Sequence, residues 1–320
     1  DNGALTPSSS ALTDLDNTNV ANASFSLDTI TLNNTWVQLK TGANASLTVT
    51  GATQMEQQST TTLWKFASIT VTNGATLNHS ANSSTHTFSL NLEATGNMTL
   101  TSTSTINLNS LGLAGGTGCS GNGSGIGGGT VSACANSSGG GGGGHGGAGG
   151  NSSNGYAGGV SNGSLTQPVT LGSGGGAGYA AVGGAGGGAI YLKVTGTLTL
   201  DGSINTNGGN GTINSGSGSG GGAGGSVFID TSTFAGIGSI SANGGSGGAS
   251  PSGIGGGGGG GRVAVYALAN MHTGAIQAFG VDGTGTAKKG AAGTNLKKFG
   301  SANGDLIIDK NSQAIDSRTD

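Results

Sequence analysis

Glycine blocks that recur at a fixed spacing constrain this chain more than any other feature. Between Gly112 and Gly300, short β-like stretches alternate with runs of nearly pure glycine. Ile190-Tyr-Leu, Val227-Phe-Ile and Val263-Ala-Val lie 37 and 36 residues apart, and Gly202-Ser-Ile, Gly238-Ser-Ile and Gly274-Ala-Ile lie 36 apart. Disordered glycine-rich sequence has no reason to keep register, so this repeat predicts one unit of backbone laid on the next. Of the 73 glycines, 5 fall in residues 1–111 and 67 in 112–300, which marks the clearest internal boundary. Glycine loses more conformational freedom on folding than any other residue, so an ordered block of it requires dense backbone hydrogen bonding.

Before that boundary the chain alternates at period two. Phe25, Leu27, Ile30 and Leu32 begin the pattern, and Leu47-Thr-Val-Thr, Ile69-Thr-Val-Thr and Leu90-Asn-Leu-Glu continue it. Such alternation, punctuated by clusters like Thr72-Asn73-Gly74, reads as short strands joined by turns. The repeat reaches back into this half. Leu90, Leu92, Met98 and Leu100 align with Ile190, Leu192, Leu198 and Leu200 at an offset of 100, and Ile106 aligns with Ile204 at 98. Alternation points Ile190, Leu192, Val194, Leu198, Leu200 and Ile204 inward, and Tyr191, Lys193, Thr197 and Thr199 outward. No segment has a 3.6-residue apolar period, so almost no helix is expected.

The expected fold is all-β: a parallel β-helix (β-solenoid) with stacked polyglycine-II-like strands in the C-terminal two-thirds. Glycine keeps its N–H and lacks Cβ, so extended glycine strands can approach closely and bond laterally. Floppy loops on one side of the stack are the alternative. The expected organisation is an N-terminal arm over 1–20 that could act as an inter-subunit strand, a β-rich part over 21–111, the glycine-rich repeat over 112–300, and a strand or linker segment over 301–320.

From about Phe66 to Asn311 the chain resembles glycine-rich repeat proteins found as long extracellular proteins in environmental microbes and protists. The residues that carry the resemblance are Thr195 to Gly209, Gly224-Gly-Ser-Val-Phe-Ile with Gly238 to Gly245, and Gly255–Gly261 with Arg262-Val-Ala-Val-Tyr; Gly304-Asp-Leu-Ile-Ile-Asp looks like the opening of a further unit. The resemblance implies a surface or appendage protein with a repeated β fold and no enzyme activity. Heavily glycosylated extracellular fibrils are its structural precedent.

Charge and chemistry point the same way. Ten basic residues against thirteen acidic ones, a net charge of −3, give no polycationic surface for nucleic acid. The small cluster Lys288, Lys289, Lys297 and Lys298 reads as a solvated turn. No stretch of 18 apolar residues is present, so membrane insertion is not expected. The chain starts at Asp1 without a Met, as a processed secreted chain, or part of a longer one, would. Asp201, Asp230 and Asp282 fall at non-equivalent places in different repeats, whereas a solenoid lyase or hydrolase needs clustered carboxylates. Catalytic residues, metal sites and cofactors are therefore not expected. His79, His86, His145 and His272 are scattered, and His145, set within glycines, reads as a spacer. Two cysteines, Cys119 and Cys134, are too few for a metal site. A Cys119–Cys134 disulfide is expected, with two free core thiols as the alternative, and it would indicate an oxidising compartment.

Eleven Asn-x-Ser/Thr sequons occur, at Asn22, Asn33, Asn44, Asn78, Asn82, Asn97, Asn122, Asn136, Asn151, Asn162 and Asn210. This is a mild excess over chance. None follows Asn210, a hint that the C-terminal repeats are covered by a neighbour.

The leading expectation is a structural subunit of an extracellular, glycosylated fibril or cell-surface appendage, whose partners are other copies of itself and attached glycans. End-to-end contact or strand augmentation through the N-terminal arm or Leu306-Ile-Ile would join the copies. An adhesin that binds surface carbohydrate through Tyr179, Tyr191 and Tyr266 is the alternative. Ice binding by Thr99–Thr105 and Thr195–Thr199 is a third.

Overall fold

The computed structural model describes residues 24–27, 46–54, 63–119, 121–131, 138–281, 283, 285–301 and 303–308. Among them the fold is all-β, without a helix, and its two large sheets are mostly parallel. The larger sheet has 11 strands and the second has 6. The expected arm over 1–20 and the chain after 308 lie outside the described residues.

The repeat spacing is the ladder register. Ala189–Leu200 pairs parallel with Ser226–Gly236, with Ile190 opposite Val227, and that strand pairs with Arg262–His272, with Val227 opposite Val263. On the other side, Leu90–Ala94 places Leu90 opposite Ile190, and Met98–Leu100 places Met98 opposite Leu198. Ile106, Ile204, Ile240 and Ile276 are successive neighbours in the second sheet. One-residue slips would turn each apolar set to the wrong face, so the aligned apolar positions fix this register. The six residues expected to point inward, Ile190, Leu192, Val194, Leu198, Leu200 and Ile204, are all at most 2% exposed. They belong to one continuous core that runs from Leu47 to Ala278.

Ser24–Leu27, Ser46–Val49, Ser68–Val71 and Met98–Leu100 lead the larger sheet into the C-terminal half of Ala189–Leu200. Between Asn107 and Ala189 the described residues hold no strand. The strands before and after this stretch are ladder neighbours, so some eighty residues leave the sheets and return without adding a rung.

The glycine segments bond to one another with a period of three. Within 218–225, the N–H groups of Gly218, Gly221 and Gly224 donate to the carbonyls of Gly253, Gly256 and Gly259; those of Ser219, Gly222 and Gly225 donate to Thr212, Gly209 and Thr206; those of Gly220 and Ala223 donate to Gly176 and Ser173. Each third residue therefore faces the same neighbouring segment. Segment 140–145 follows the same rule, with Gly140 and Gly143 directed to Gly218 and Gly221, and Gly141 and Gly144 to Thr130 and Gly127. Residues 217–229 and 255–261 are buried throughout. Steric space requires the glycines here: a Cβ on Gly222 would lie 2.0 Å from the Ala185 carbonyl oxygen, and one on Gly142 would lie 2.0 Å from that of Gly257. Every buried N–H named here has a backbone partner, as buried backbone donors require.

At the C-terminal end, Thr294–Phe299 pairs parallel with the first half of Arg262–His272, from Arg262 to Ala267. Asp305–Ile307 then pairs antiparallel with Thr294–Phe299. The segment expected to be available as a donor strand is thus folded onto its own chain.

Candidate functional site

Three features of this scaffold carry its polar chemistry: a row of polar side chains on the larger sheet, the buried histidines, and the sequon asparagines. Among the described residues no three His, Cys, Asp or Glu side chains come together to hold a metal ion.

The outer row runs across successive strands as Lys65, Glu93, Lys193, Asp230, Tyr266 and Lys298. Glu93 lies 3.6 Å from Lys65 and 3.3 Å from Lys193. Both lysines are well exposed, so these pairs contribute little to stability. Lys193, Asp230, Tyr266, Leu268 and Lys298 line a shallow groove of about 510 Å³.

Of the three expected tyrosines, the fold unites two, through a phenylalanine. Tyr191 stacks on Phe228 with centroids 4.5 Å apart, and Phe228 meets Tyr266 edge-on at 5.6 Å. Tyr179 is not part of this group. Burial raises the pKa of both Tyr191 and Tyr266, and Asp230 acts in the same direction. The Tyr266 hydroxyl donates to the Thr166 carbonyl at 2.7 Å, so the glycine-rich excursion lies over this face. A threonine row, Thr48, Thr70, Thr99 and Thr199, also crosses the strands, and it stops at Ala235.

His145 anchors the excursion to the sheet. The sequence offers it no partner, yet the fold sets its Nδ1 3.1 Å from Asn162 Oδ1 and its Nε2 2.9 Å from Ser226 Oγ. Ser226 Oγ also reaches the Thr170 carbonyl at 2.6 Å. Arg262 donates from Nε to the Asn162 carbonyl at 2.8 Å and from Nη1 to Thr294 Oγ1 at 3.1 Å. His145 is fully buried, and burial, aided by the Arg262 charge, pulls its pKa down to about 4 against the favourable Asn162 bond. Its neutral ring is thus held between Asn162 Oδ1 on one side and Ser226 Oγ on the other. Burial also lowers His79 to about 4. His272 stacks on Phe234 at 4.2 Å and its pKa is lowered chiefly by burial.

The sequons separate by environment. Asn82 is buried and saturated: Nδ2 donates to the Phe88 and Leu111 carbonyls, and Oδ1 accepts the N–H groups of Thr87 and Phe88. The Asn162 Nδ2 is engaged by the Gly144 and Val160 carbonyls. Neither amide nitrogen is placed to carry a glycan in this fold. Asn97, Asn122 and Asn210 are exposed, and their described hydrogen bonds run through Oδ1, to the N–H groups of Thr197, Val131 and Ser246. Asn78 and Asn151 are half-buried, and the Asn151 Oδ1 accepts the Gly158 N–H. Asn22, Asn33, Asn44 and Asn136 lie outside the described residues. So does Cys134, while Cys119 lies within them, where no cysteine is free.

Sequence reasoning missed an asparagine ladder at one corner of the repeat. Oδ1 of Asn109 accepts the N–H of Asn207, Oδ1 of Asn207 that of Asn243, and Oδ1 of Asn243 that of Phe279. Its signal was the shared Asn-Gly-Gly that follows Ile204 and Ile240.

Compared with known proteins, the chain matches no family model, no curated protein and no solved structure.

Proposed function

We propose that this chain is a parallel β-solenoid with polyglycine-II-like packing of its glycine strands, and that it serves as a structural subunit of an extracellular, glycosylated fibril or surface appendage. The observation that carries the reading is translational. Each strand lies on the strand one repeat away in matching register, so the ladders can be extended at their ends without a change of geometry. A framework of this kind supplies length and surface. Exposed Asn97, Asn122 and Asn210 would carry glycans. A Cys119–Cys134 bridge would close a loop of about 15 residues and contribute roughly 3 kcal/mol, and it suits a location outside the cell. Copies of the chain and the attached glycans are its partners.

Negative-stain imaging of the native material tests the reading. Filaments or appendages support it; isolated compact particles at all concentrations contradict it.

A carbohydrate-binding module is the second reading, supported by the groove that Tyr266 shares with Lys193, Asp230 and Lys298. Sugar binding on a glycan array, abolished by Tyr266→Ala, would favour it. Ice binding has weaker support, because the threonine row has four members and ends at Ala235.

A further inference from the structure

The larger sheet ends in a ledge. Thr294–Phe299 covers Arg262–His272 only as far as Ala267. Beyond it, Leu268, Ala269, Asn270 and Met271 are exposed, with Leu268 at 75% and Met271 at 64%. These residues form the last rung of a column that runs through Ser226–Gly236, Ala189–Leu200, Met98–Leu100, Ser68–Val71 and Ser46–Val49 to Ser24–Leu27. Among the described residues, the column therefore has a four-residue strand at one end and an open four-residue ledge at the other. Asn270 Oδ1 accepts the N–H of His272 at 3.2 Å, which occupies one edge donor locally.

We propose that a second copy of this chain docks on the ledge head-to-tail, its Ser24–Leu27 strand pairing parallel with Ala269–His272. This rests on the fibril reading above and names the surface that joins the subunits. The register follows from the existing column. Phe25, Leu47, Ile69, Met98, Leu198, Phe234 and Asn270 occupy successive rungs of one row, and Ser26, Thr48, Thr70, Thr99, Thr199, Ala235 and Met271 occupy the next. The incoming Phe25 lies opposite Asn270, and Ser26 opposite Met271.

Three further observations favour a second copy. Charge differs along the sequence: residues 1–62 hold five acidic residues and one basic, while residues 262–308 hold five basic and two acidic. Opposed ends of this kind steer heterologous contacts and disfavour like-with-like contacts. No sequon follows Asn210, so the ledge strand itself carries no N-glycan. The chain's own C-terminal strand runs the other way: Asp305 lies by Lys297 and Ile307 by Asn295, so the chain leaves Ile308 away from the ledge.

Site-specific crosslinking of full-length protein tests this. Ser26→Cys and Met271→Cys variants are prepared separately, then oxidised alone and mixed. A crosslinked dimer formed only in the mixture, weakened by high salt and lost when Leu268→Lys is added to the Met271→Cys partner, is the expected result. Filaments should then show an axial repeat near 34 Å, seven rungs of about 4.8 Å each. Met271→Cys crosslinking to itself would overturn the head-to-tail arrangement. Filaments without the mixed crosslink would overturn this ledge while leaving the fibril reading intact. Monomers without crosslinks at any concentration would remove both. Far-UV circular dichroism of each variant, matching that of the parent chain, shows that folding is not the variable.

Discussion

Asn207 Oδ1 accepts the backbone N–H of Asn243 at 2.7 Å, and Asn243 occupies the position of Asn207 one repeat later. The same side chain also receives the Ser241 hydroxyl. The repeat thus carries its own cap: a side chain satisfies a backbone donor of the next repeat at a corner where the ladder bonds stop. At Phe279 the row has no further asparagine.

Replacing Asn207 by Ala strands two donors in a partly buried corner. The expected cost is about 1–3 kcal/mol, read as a lower midpoint in thermal or denaturant unfolding. Asn207→Asp keeps the acceptor and should retain most of that stability at neutral pH.

Gly222→Ala places a methyl 2.0 Å from a backbone oxygen, where no side chain can move aside. Its cost should reach or exceed the upper end of the usual overpacking range of about 1–3 kcal/mol. At Gly178 the nearest atom to an added Cβ is 3.1 Å away, on Ala181. Gly178→Ala should cost about 1 kcal/mol or less. Comparing the two unfolding midpoints separates contact distance from the general effect of removing glycine.

Acid should destabilise the fold. His79 and His145 bind a proton only near pH 4 when folded, against 6.5 in the unfolded chain. The unfolded state therefore holds more protons between these values. Stability is fully present above pH 6.5, falls as the pH drops toward 4, and levels off for these groups below that. Each buried ring accounts for about 3 kcal/mol across the window. His145→Gln should flatten the dependence of unfolding free energy on pH by about one proton's worth, as measured by denaturant titrations between pH 4 and 7.

In a eukaryotic secretory host, mass spectrometry should find glycans at Asn97, Asn122 and Asn210 and none at Asn82. Asn82→Ala removes four hydrogen bonds inside the fold and should cost about 2 kcal/mol or more. Asn210→Gln should leave stability within about 0.5 kcal/mol.

Much of the ladder was legible in the sequence because inward apolar positions must line up when strands stack in parallel. The offsets of 36, 37, 98 and 100 reappear as pairs such as Val227 with Val263, Ile190 with Val227, Ile106 with Ile204 and Leu90 with Ile190. The path of residues 108–188 was not legible, because glycine has no side chain to declare a face. Its contacts join residues far apart, as His145 to Ser226, and no local pattern encodes them. The aromatic group was half legible: Tyr191 and Tyr266 meet only because Phe228 lies between them. The sequon pattern did not distinguish Asn82 from Asn97, because acceptor competence depends on what surrounds the amide.

If the glycine blocks form the interior framework between the ladders, their amides are as protected as those of the strands. Native-state hydrogen exchange resolved over Gly218–Gly225 and Gly255–Gly261 tests it most directly. The expected result is protection in both segments comparable to that of Val227–Ile229 and Val263–Val265, lost together in one cooperative opening. Exchange of the glycine amides at the rate of an unstructured peptide, while the strand amides stay protected, would contradict it.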